Sequence, residues 1–367
     1  MSASPSSVPS IDDPVALTAW IKAEARALGF DDCVIARPNA QDQLPYLKDY
    51  LAKGYQADMH FLAENLEKRA DPTLLVNGTK SIICVRMNYL VERPEARSIP
   101  HLPNQGIIAR YARGRDYHKT VRGRLKTLSQ RIKDKIGPFE SRPFADSAPV
   151  FEKSLAESAG MGWTGKHTLL IHKKTGSFFV LGELFTNLDL AFDTPATSHC
   201  GSCEACIEIC PTQAIVAPYQ LDARKCIAYL TIEYQGIIPE DLHQPIGNRV
   251  FGCDDCQLIC PWNSFAQLTQ VPDFSPRHGL DQISLLELMT WNETTFLEKT
   301  EGSPLRRTGY QSFKRNIAIG LGNAAYSIAV VHSLQQALTW HDEVVNVHLE
   351  WAIDQQLEKQ KLLIHKS

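Results

Sequence analysis

Eight cysteines crowded between Cys200 and Cys260, in two sets of matching spacing, restrict what this chain can fold into more than any other feature. Cys200, Cys203, Cys206 and Cys210, followed by Pro211, form a CxxCxxCxxxCP run. In such a run three thiolates hold one 4Fe–4S cluster and the fourth reaches across to a second. Cys226, Cys253, Cys256 and Cys260, followed by Pro261, repeat the pattern with its first spacer stretched to hold a helix and loop. The two-fold pseudosymmetry pairs Cys200, Cys203, Cys206 and Cys260 at one cluster, and Cys226, Cys253, Cys256 and Cys210 at the other. Two four-thiolate zinc sites are the alternative, but zinc modules use separated CxxC pairs rather than a continuous run. Cys33 and Cys84 lie in apolar stretches and read as small buried hydrophobes.

The remaining chemistry agrees with a soluble protein. The apolar fraction is 44%, the charged fraction 22% and the net charge −3. No apolar run approaches the roughly 20 residues that span a bilayer. The opening MSASPSSVPSIDDP has neither a basic stretch nor an apolar core, so it reads as a disordered leader, and the chain is expected in the cytoplasm. In that reducing compartment cysteines ligate metals or clusters rather than form structural disulfides.

At 367 residues the chain is long enough for several packed units. Asp12, Asp13 and Pro14 start a helix whose Leu17, Ile21, Ala25 and Leu28 recur at helical spacing until Gly29. FDDCVIA and Ser81 to Leu90 read as strands, and Val121, Leu125, Leu128, Ile132 and Ile136 mark one face of a helix that is basic on the other. HTLLIH and SFFVLGELF, separated by KKTG, read as a strand pair joined by a turn. The fold expected is α+β: a leader over 1–14, an α/β domain over 15–195, a ferredoxin-like two-cluster domain over 196–265, and helical hairpins of repeat type over 266–367.

Two motifs fail on inspection. Gly160 to Lys166 (GMGWTGK) begins like a phosphate-binding loop, but His167 stands where a Ser or Thr should ligate magnesium, and a strand rather than a helix follows. Its glycines instead allow close backbone approach. Asp241, His243 and Gly247 miss the DxHxxG signature of cobalt-ligating corrinoid proteins by one residue, so His243 is not assigned to cobalt.

Taken together, RADP (Arg69 to Pro72), RYARGRDYH (Arg110 to His118), ADSAP (Ala145 to Pro149), AGMGWTGKHTLLI (Ala159 to Ile171), LGEL (Leu181 to Leu184), both cysteine sets and GNRVFGCDDCQLICPWN (Gly247 to Asn263) resemble the epoxyqueuosine reductases. The resemblance runs from about Arg69 to Asn323. It implies an enzyme that reduces the epoxide of epoxyqueuosine to queuosine at the wobble position of tRNA. It also implies base-off cobalamin in a cleft between the α/β domain and the two clusters, fed by a flavodoxin- or ferredoxin-type donor, in a monomer with HEAT-like repeats at its C-terminal end. The reaction takes two electrons and two protons and releases water.

Expelling an alkoxide unaided is unfavourable at neutral pH, so a proton donor is required. Asp146 matches the family's catalytic aspartate; a free aspartate titrates near ~3.9, so it would have to be buried to hold a proton at neutral pH. Read without the family, DSAP ahead of a helix makes Asp146 an N-cap. Arg69, Leu170, Leu184, Cys253 and Asp254 fall at positions that the resemblance places at the corrinoid.

Two basic patches could meet tRNA phosphates. Lys119, Arg122, Arg124, Lys126, Arg131, Lys133 and Lys135 read as a solvated helix face. Arg306, Arg307, Lys314 and Arg315, gathered around Tyr310 and Phe313, are the stronger candidates, with Glu152 and Lys153 of FEK as contacts to the modified nucleotide. A reductive dehalogenase shares the corrinoid and two-cluster arrangement and is the alternative reading. An electron carrier fused to a helical scaffold would leave ADSAP, AGMGWTGK and GCDDC without a purpose.

Overall fold

The structure, a computed structural model, describes residues 13–95, 97–99, 102–338 and 342–365. Apart from Asp13 and Pro14, the expected leader lies outside them. Helix α1 (Pro14–Ala27) begins where Asp13 Oδ1 accepts the N–H groups of Val15 and Ala16 at 3.1 and 3.0 Å, satisfying donors that have no partner inside the helix. Its Leu17, Ile21 and Ala25 are buried, as their spacing predicts.

Four strands, β1 (Asp32–Ala36), β2 (Ser81–Asn88), β3 (Ser141–Phe144) and β4 (Phe179–Thr186), form one sheet in the order β1-β2-β4-β3. Every neighbouring pair is antiparallel. The expected helix and strand content of this region is therefore present, in a sheet that is wholly antiparallel. Helices α1 and α2 (Tyr117–Ile136) cover one face through Leu17, Ile21, Val121, Leu125, Leu128 and Ile132, packed on Ile35, Ile83, Val85 and Leu184. Helix α3 (Glu152–Ser158) covers the other through Leu155 and Ala156, against Val34, Cys84, Phe144 and Phe185. With both faces covered, the central strands lose the alternation of a half-exposed sheet, and all eight residues of β2 are buried.

The basic face of α2 is tied to the protein: Arg124 donates to Leu28 O at 2.6 Å and Arg131 to Glu24 at 2.8 Å. The face is thus solvated only in part, with Lys119 and Lys126 exposed. The expected hairpin is reduced to one bridge between His172 and Gly176. Leu170–Ile171 pairs instead with Trp163–Thr164. Two glycines explain the change. A side chain on Gly162 would stand 2.2 Å from Ile171 O, so only glycine lets these strands meet, and Gly176, at φ 71°, lies against Asn263 of the cysteine-rich stretch. Asn263 Oδ1 accepts from Ser177 N at 2.6 Å and draws that segment out of the hairpin.

The cysteine-rich stretch is bound to the first part of the chain by Arg249–Phe251, which runs parallel to Ile107–Ile108. Beyond it, Tyr310–Asn323 is wrapped by Leu285–Thr290, Ile328–Ala337 and Glu343–Ile364 around Phe313, Ile317, Leu321 and Leu349. No helix of the described residues is long and apolar enough to cross a membrane.

Candidate active site

A cavity of about 950 Å³ opens between the sheet domain and the cysteine-rich stretch. Cys210, Cys226, Cys253 and Cys256 all line it, and none of Cys200, Cys203, Cys206 and Cys260 does. The partition coincides with the two quartets expected from the spacing. The electrostatics of the thiols follow it too. Burial and then the charges of Cys200, Cys206 and Cys203 push Cys260 up to about 11. Burial, followed by Cys226, Cys206 and Cys210, pushes Cys256 well up, so the two quartets stand side by side with Cys206 between them. Cys203 is exposed and Cys206 and Cys260 are buried, which puts one edge of the first quartet at the surface. Cys33 and Cys84 lie buried in strands, and burial pushes the Cys33 thiol up to about 12.

Of the residues expected at the corrinoid, Arg69, Leu170, Cys253 and Asp254 line the cavity. Arg69 is held by the carbonyls of Phe61 and Glu64 at 2.9 and 3.3 Å. Asp254 is 5% exposed and accepts from Arg110 twice, from the backbone N–H at 2.9 Å and from Nη1 at 3.1 Å. Leu184 does not line it. Strand alternation turns its side chain to the face packed under α2, while Phe179 and Leu181 of β4 border the cavity. His243 packs against His348 and Trp351 at 4.9 and 4.6 Å, away from the cavity, with Nε2 2.9 Å from Ile238 O.

Asp146 sits at the end of β3 with φ 45°, and its side chain, 66% exposed, opens onto the cavity. It caps no helix: α3 starts at Glu152, and the preceding Phe151 makes no side-chain cap. Tyr117 donates its hydroxyl to Asp146 Oδ2 at 2.6 Å, and His118 Nε2 lies 3.7 Å from the same oxygen. The other ring nitrogen of His118 is 2.6 Å from Asp116 Oδ1. Desolvation works against charge on His118, but the two flanking carboxylates prevail and raise it to about 9. Burial likewise works to raise Asp146, yet His118, Tyr117 and Arg307 outweigh it and hold the carboxyl below its ordinary range. The burial expected of Asp146 is not met, since its side chain is 66% exposed, and His118 and Tyr117 beside it favour the charged form.

The tRNA candidates divide. Arg307 borders the cavity, with Nε 2.7 Å from Glu233, and Lys153 borders it with its amine donated to Thr168 O at 2.7 Å. Arg306 is exposed and donates to Leu297 O. Arg315 is fully buried and donates to the carbonyls of Leu230, Tyr234 and Gly236, and Lys314, 3% exposed, donates to Met289 O. Neither presents its charge to a phosphate, because both satisfy carbonyls inside the helical layers. Glu152 turns inward and accepts the Asp146 N–H at 2.6 Å.

Tyr117, His118 and Glu183 carry no role in the sequence reading. A Tyr–His pair at the start of α2, just after the capping Asp116, was the available signal for the first two. Glu183 sits inside an apolar strand with nothing beside it in sequence to mark it.

Thiol quartets of ferredoxin spacing, one bordering a large cavity that Tyr117 and Asp146 also line, define an iron–sulfur oxidoreductase. A family model described as epoxyqueuosine reductase QueG, DUF1730, matches residues 69–147, and one for a 4Fe-4S double cluster binding domain matches residues 199–263, which favours clusters over the zinc alternative. The chain is 50% identical over 344 residues to the epoxyqueuosine reductase of Xanthomonas campestris pv. campestris, covering 94% of this chain and 97% of that one. It is 46% identical to that of Escherichia coli K12, covering 94% and 90%. Among solved structures it resembles an epoxyqueuosine reductase crystallised with an epoxyqueuosine-modified tRNA-Tyr stem loop, with TM-score 0.80 and 26% identity over 93% of this chain and 99% of that one. It also resembles the Bacillus subtilis enzyme with its catalytic aspartate loop swung out of the active site, with TM-score 0.79 and 26% identity over 92% and 98%. The chain belongs to the epoxyqueuosine reductase family, whose members are oxidoreductases.

Proposed function

We propose that this protein reduces epoxyqueuosine to queuosine in tRNA, with the cavity beside Cys210, Cys226, Cys253 and Cys256 as the reaction chamber. The single observation carrying this reading is that those four thiols and Asp146 line one cavity. Two 4Fe–4S clusters would be held by Cys200, Cys203, Cys206 and Cys260 and by Cys226, Cys253, Cys256 and Cys210. Base-off cobalamin fits the remaining space, where Arg69, Leu170 and Asp254 border a volume large enough for a big flat ligand. When bound, cobalamin supplies the reducing centre that the clusters recharge from a flavodoxin- or ferredoxin-type donor.

The chain's own contribution is the proton. Asp146 faces the cavity and delivers the proton that lets the epoxide C–O bond open to an alcohol, and a second proton, drawn from solvent, lets that oxygen depart as water; His118, bracketed by Asp116 and Asp146, holds the first proton beforehand. Tyr117 fixes the Asp146 carboxylate from the other side. Arg307 and Lys153, at the cavity, and Arg306, exposed beyond it, take the phosphates and the modified nucleotide, while the C-terminal helices, read as HEAT-like repeats, receive the anticodon arm. Carried to this chain, the swung-out aspartate loop of the Bacillus subtilis enzyme gives the Asp146 turn two positions. The enzyme acts as a cytoplasmic monomer.

The test is an anaerobic reaction of cluster-loaded protein with epoxyqueuosine-containing tRNA and a strong reductant, with and without cobalamin, reading nucleosides by mass spectrometry. Queuosine forming only with cobalamin supports the proposal. No conversion, in protein shown to hold iron, cobalt and the tRNA, refutes it.

A further inference from the structure

Glu183 is the most isolated charge-bearing side chain in the sheet. It lies at the centre of β4, 0% exposed, opposite Cys84 of β2 and Phe144 of β3. Apart from the carboxyl of Glu152 beside it, neither of its oxygens meets a hydrogen-bond partner. A lone carboxylate in such a place would be several kcal/mol too costly, so one of the two carboxyls must stay protonated. Burial, then the charge of Glu152, pushes Glu183 well up, while burial and the charge of Asp146 bring Glu152 only to about 7. Glu152 already accepts the Asp146 N–H at 2.6 Å while no donor reaches either oxygen of Glu183, so the charge sits on Glu152 and the proton on Glu183. Glu152, in the first turn of α3, uses its Oε1 to hold the backbone N–H of Asp146, a residue with φ 45° that L side chains seldom adopt. Phe144, across from Glu183, is two residues before Asp146, so both ends of this contact close on the same turn.

We propose that Glu183 and Glu152 are positioning residues for the reduction: Glu183 donates to Glu152, and Glu152 grips the Asp146 N–H, so the pair aims the Asp146 carboxylate into the cavity. This rests on the reading of Asp146 as the proton donor. Glu183 lies outside the cavity lining and acts only through Glu152, which borders the cavity as well as holding the turn.

Two variants separate the idea from simple destabilisation. Glu183→Gln keeps shape and a donor toward Glu152; Glu183→Leu keeps bulk and loses the donor. In cluster-free and cobalamin-free protein, hydrogen exchange of the peptide spanning Phe144 to Val150 should stay slow in Glu183→Gln and speed up in Glu183→Leu. In the loaded enzyme, turnover should hold within about threefold for Glu183→Gln and drop about tenfold for Glu183→Leu, the scale of one hydrogen bond to a charged group. The Glu183→Leu loss should also vanish in an Asp146→Asn background, because the two act in series. Unchanged exchange, an equal loss in Glu183→Gln, or a loss that adds to that of Asp146→Asn overturns the proposal. Should Glu183→Leu fail to fold, Glu152→Ala serves in its place with the same expected exchange and turnover. Full turnover in Asp146→Asn alone would instead sink the Asp146 reading, and the exchange data would still judge the pair.

Discussion

His118 Nε2 stands 3.7 Å from Asp146 Oδ2, on the opposite side of its ring from Asp116 Oδ1 at 2.6 Å, so one imidazole is held between two carboxylates at the mouth of the reaction cavity. Since the folded protein raises His118 to about 9 from its ordinary 6.5, the charged ring contributes stability that is fully present below about pH 6.5 and is lost as pH rises through 9. Turnover should fall over the same alkaline range. His118→Gln should lower the rate at pH 7 and remove that limb of the profile. A limb that persists unchanged in His118→Gln would assign the titration to another group.

The partition of the cysteines makes a spectroscopic prediction. Cys210→Ser or Cys256→Ser should disturb the cluster that borders the cavity and weaken cobalamin binding. Cys203→Ser, at the exposed edge of the other quartet, should alter the second cluster's electron paramagnetic resonance signal and leave cobalamin affinity within about twofold, since Cys203 does not border the cavity. A loss of cobalamin binding in Cys203→Ser would break the assignment.

Arg307 and Arg315 should behave oppositely although eight residues apart. Arg315→Ala strips three carbonyls, buried Leu230 and half-buried Tyr234 and Gly236, of their donor and should lower unfolding stability by about 3 kcal/mol, with no change in the salt dependence of tRNA binding. Arg307→Ala should leave the melting temperature nearly unchanged, weaken tRNA binding, and reduce the slope of affinity against salt by about one phosphate contact.

Asn263 and Gly176 join the cysteine-rich stretch to the sheet domain. A methyl group on Gly176 would stand 2.1 Å from Asn263 Oδ1 at a φ of 71°. Gly176→Ala should therefore cost about 2 kcal/mol or more and lower the thermal midpoint measured by circular dichroism. A melting curve that matches wild type would show that the segment has room to relax.

What could be read in the sequence follows from how locally each feature is encoded. Thiols that repeat at short spacing are locally encoded, so the double-cluster domain over 199–263 was legible, and α1 was legible from its apolar periodicity and its cap at Asp13. Charge was misleading in RRTGYQSFKRN, because only the wrapping of Tyr310–Asn323 by three other helices shows that Lys314 and Arg315 point at carbonyls. Strand alternation in LGEL was unreadable in a sheet covered on both faces, which hid both the outward turn of Leu184 and the solitary Glu183. The proton on His118 depended on Asp116 and Asp146 meeting across 30 residues of chain, a convergence that no motif spacing reports.

The account turns on Asp146 as the group that protonates the departing oxygen, and single-turnover reduction of epoxyqueuosine-containing tRNA by Asp146→Asn, loaded with iron and cobalamin, tests it most directly. Asparagine keeps the shape of the side chain and cannot pass on a proton from His118. The variant should retain both clusters and its cobalamin and lose about a hundredfold or more in rate, the range of a positioned acid. Wild-type rates in a fully loaded Asp146→Asn enzyme would contradict the account.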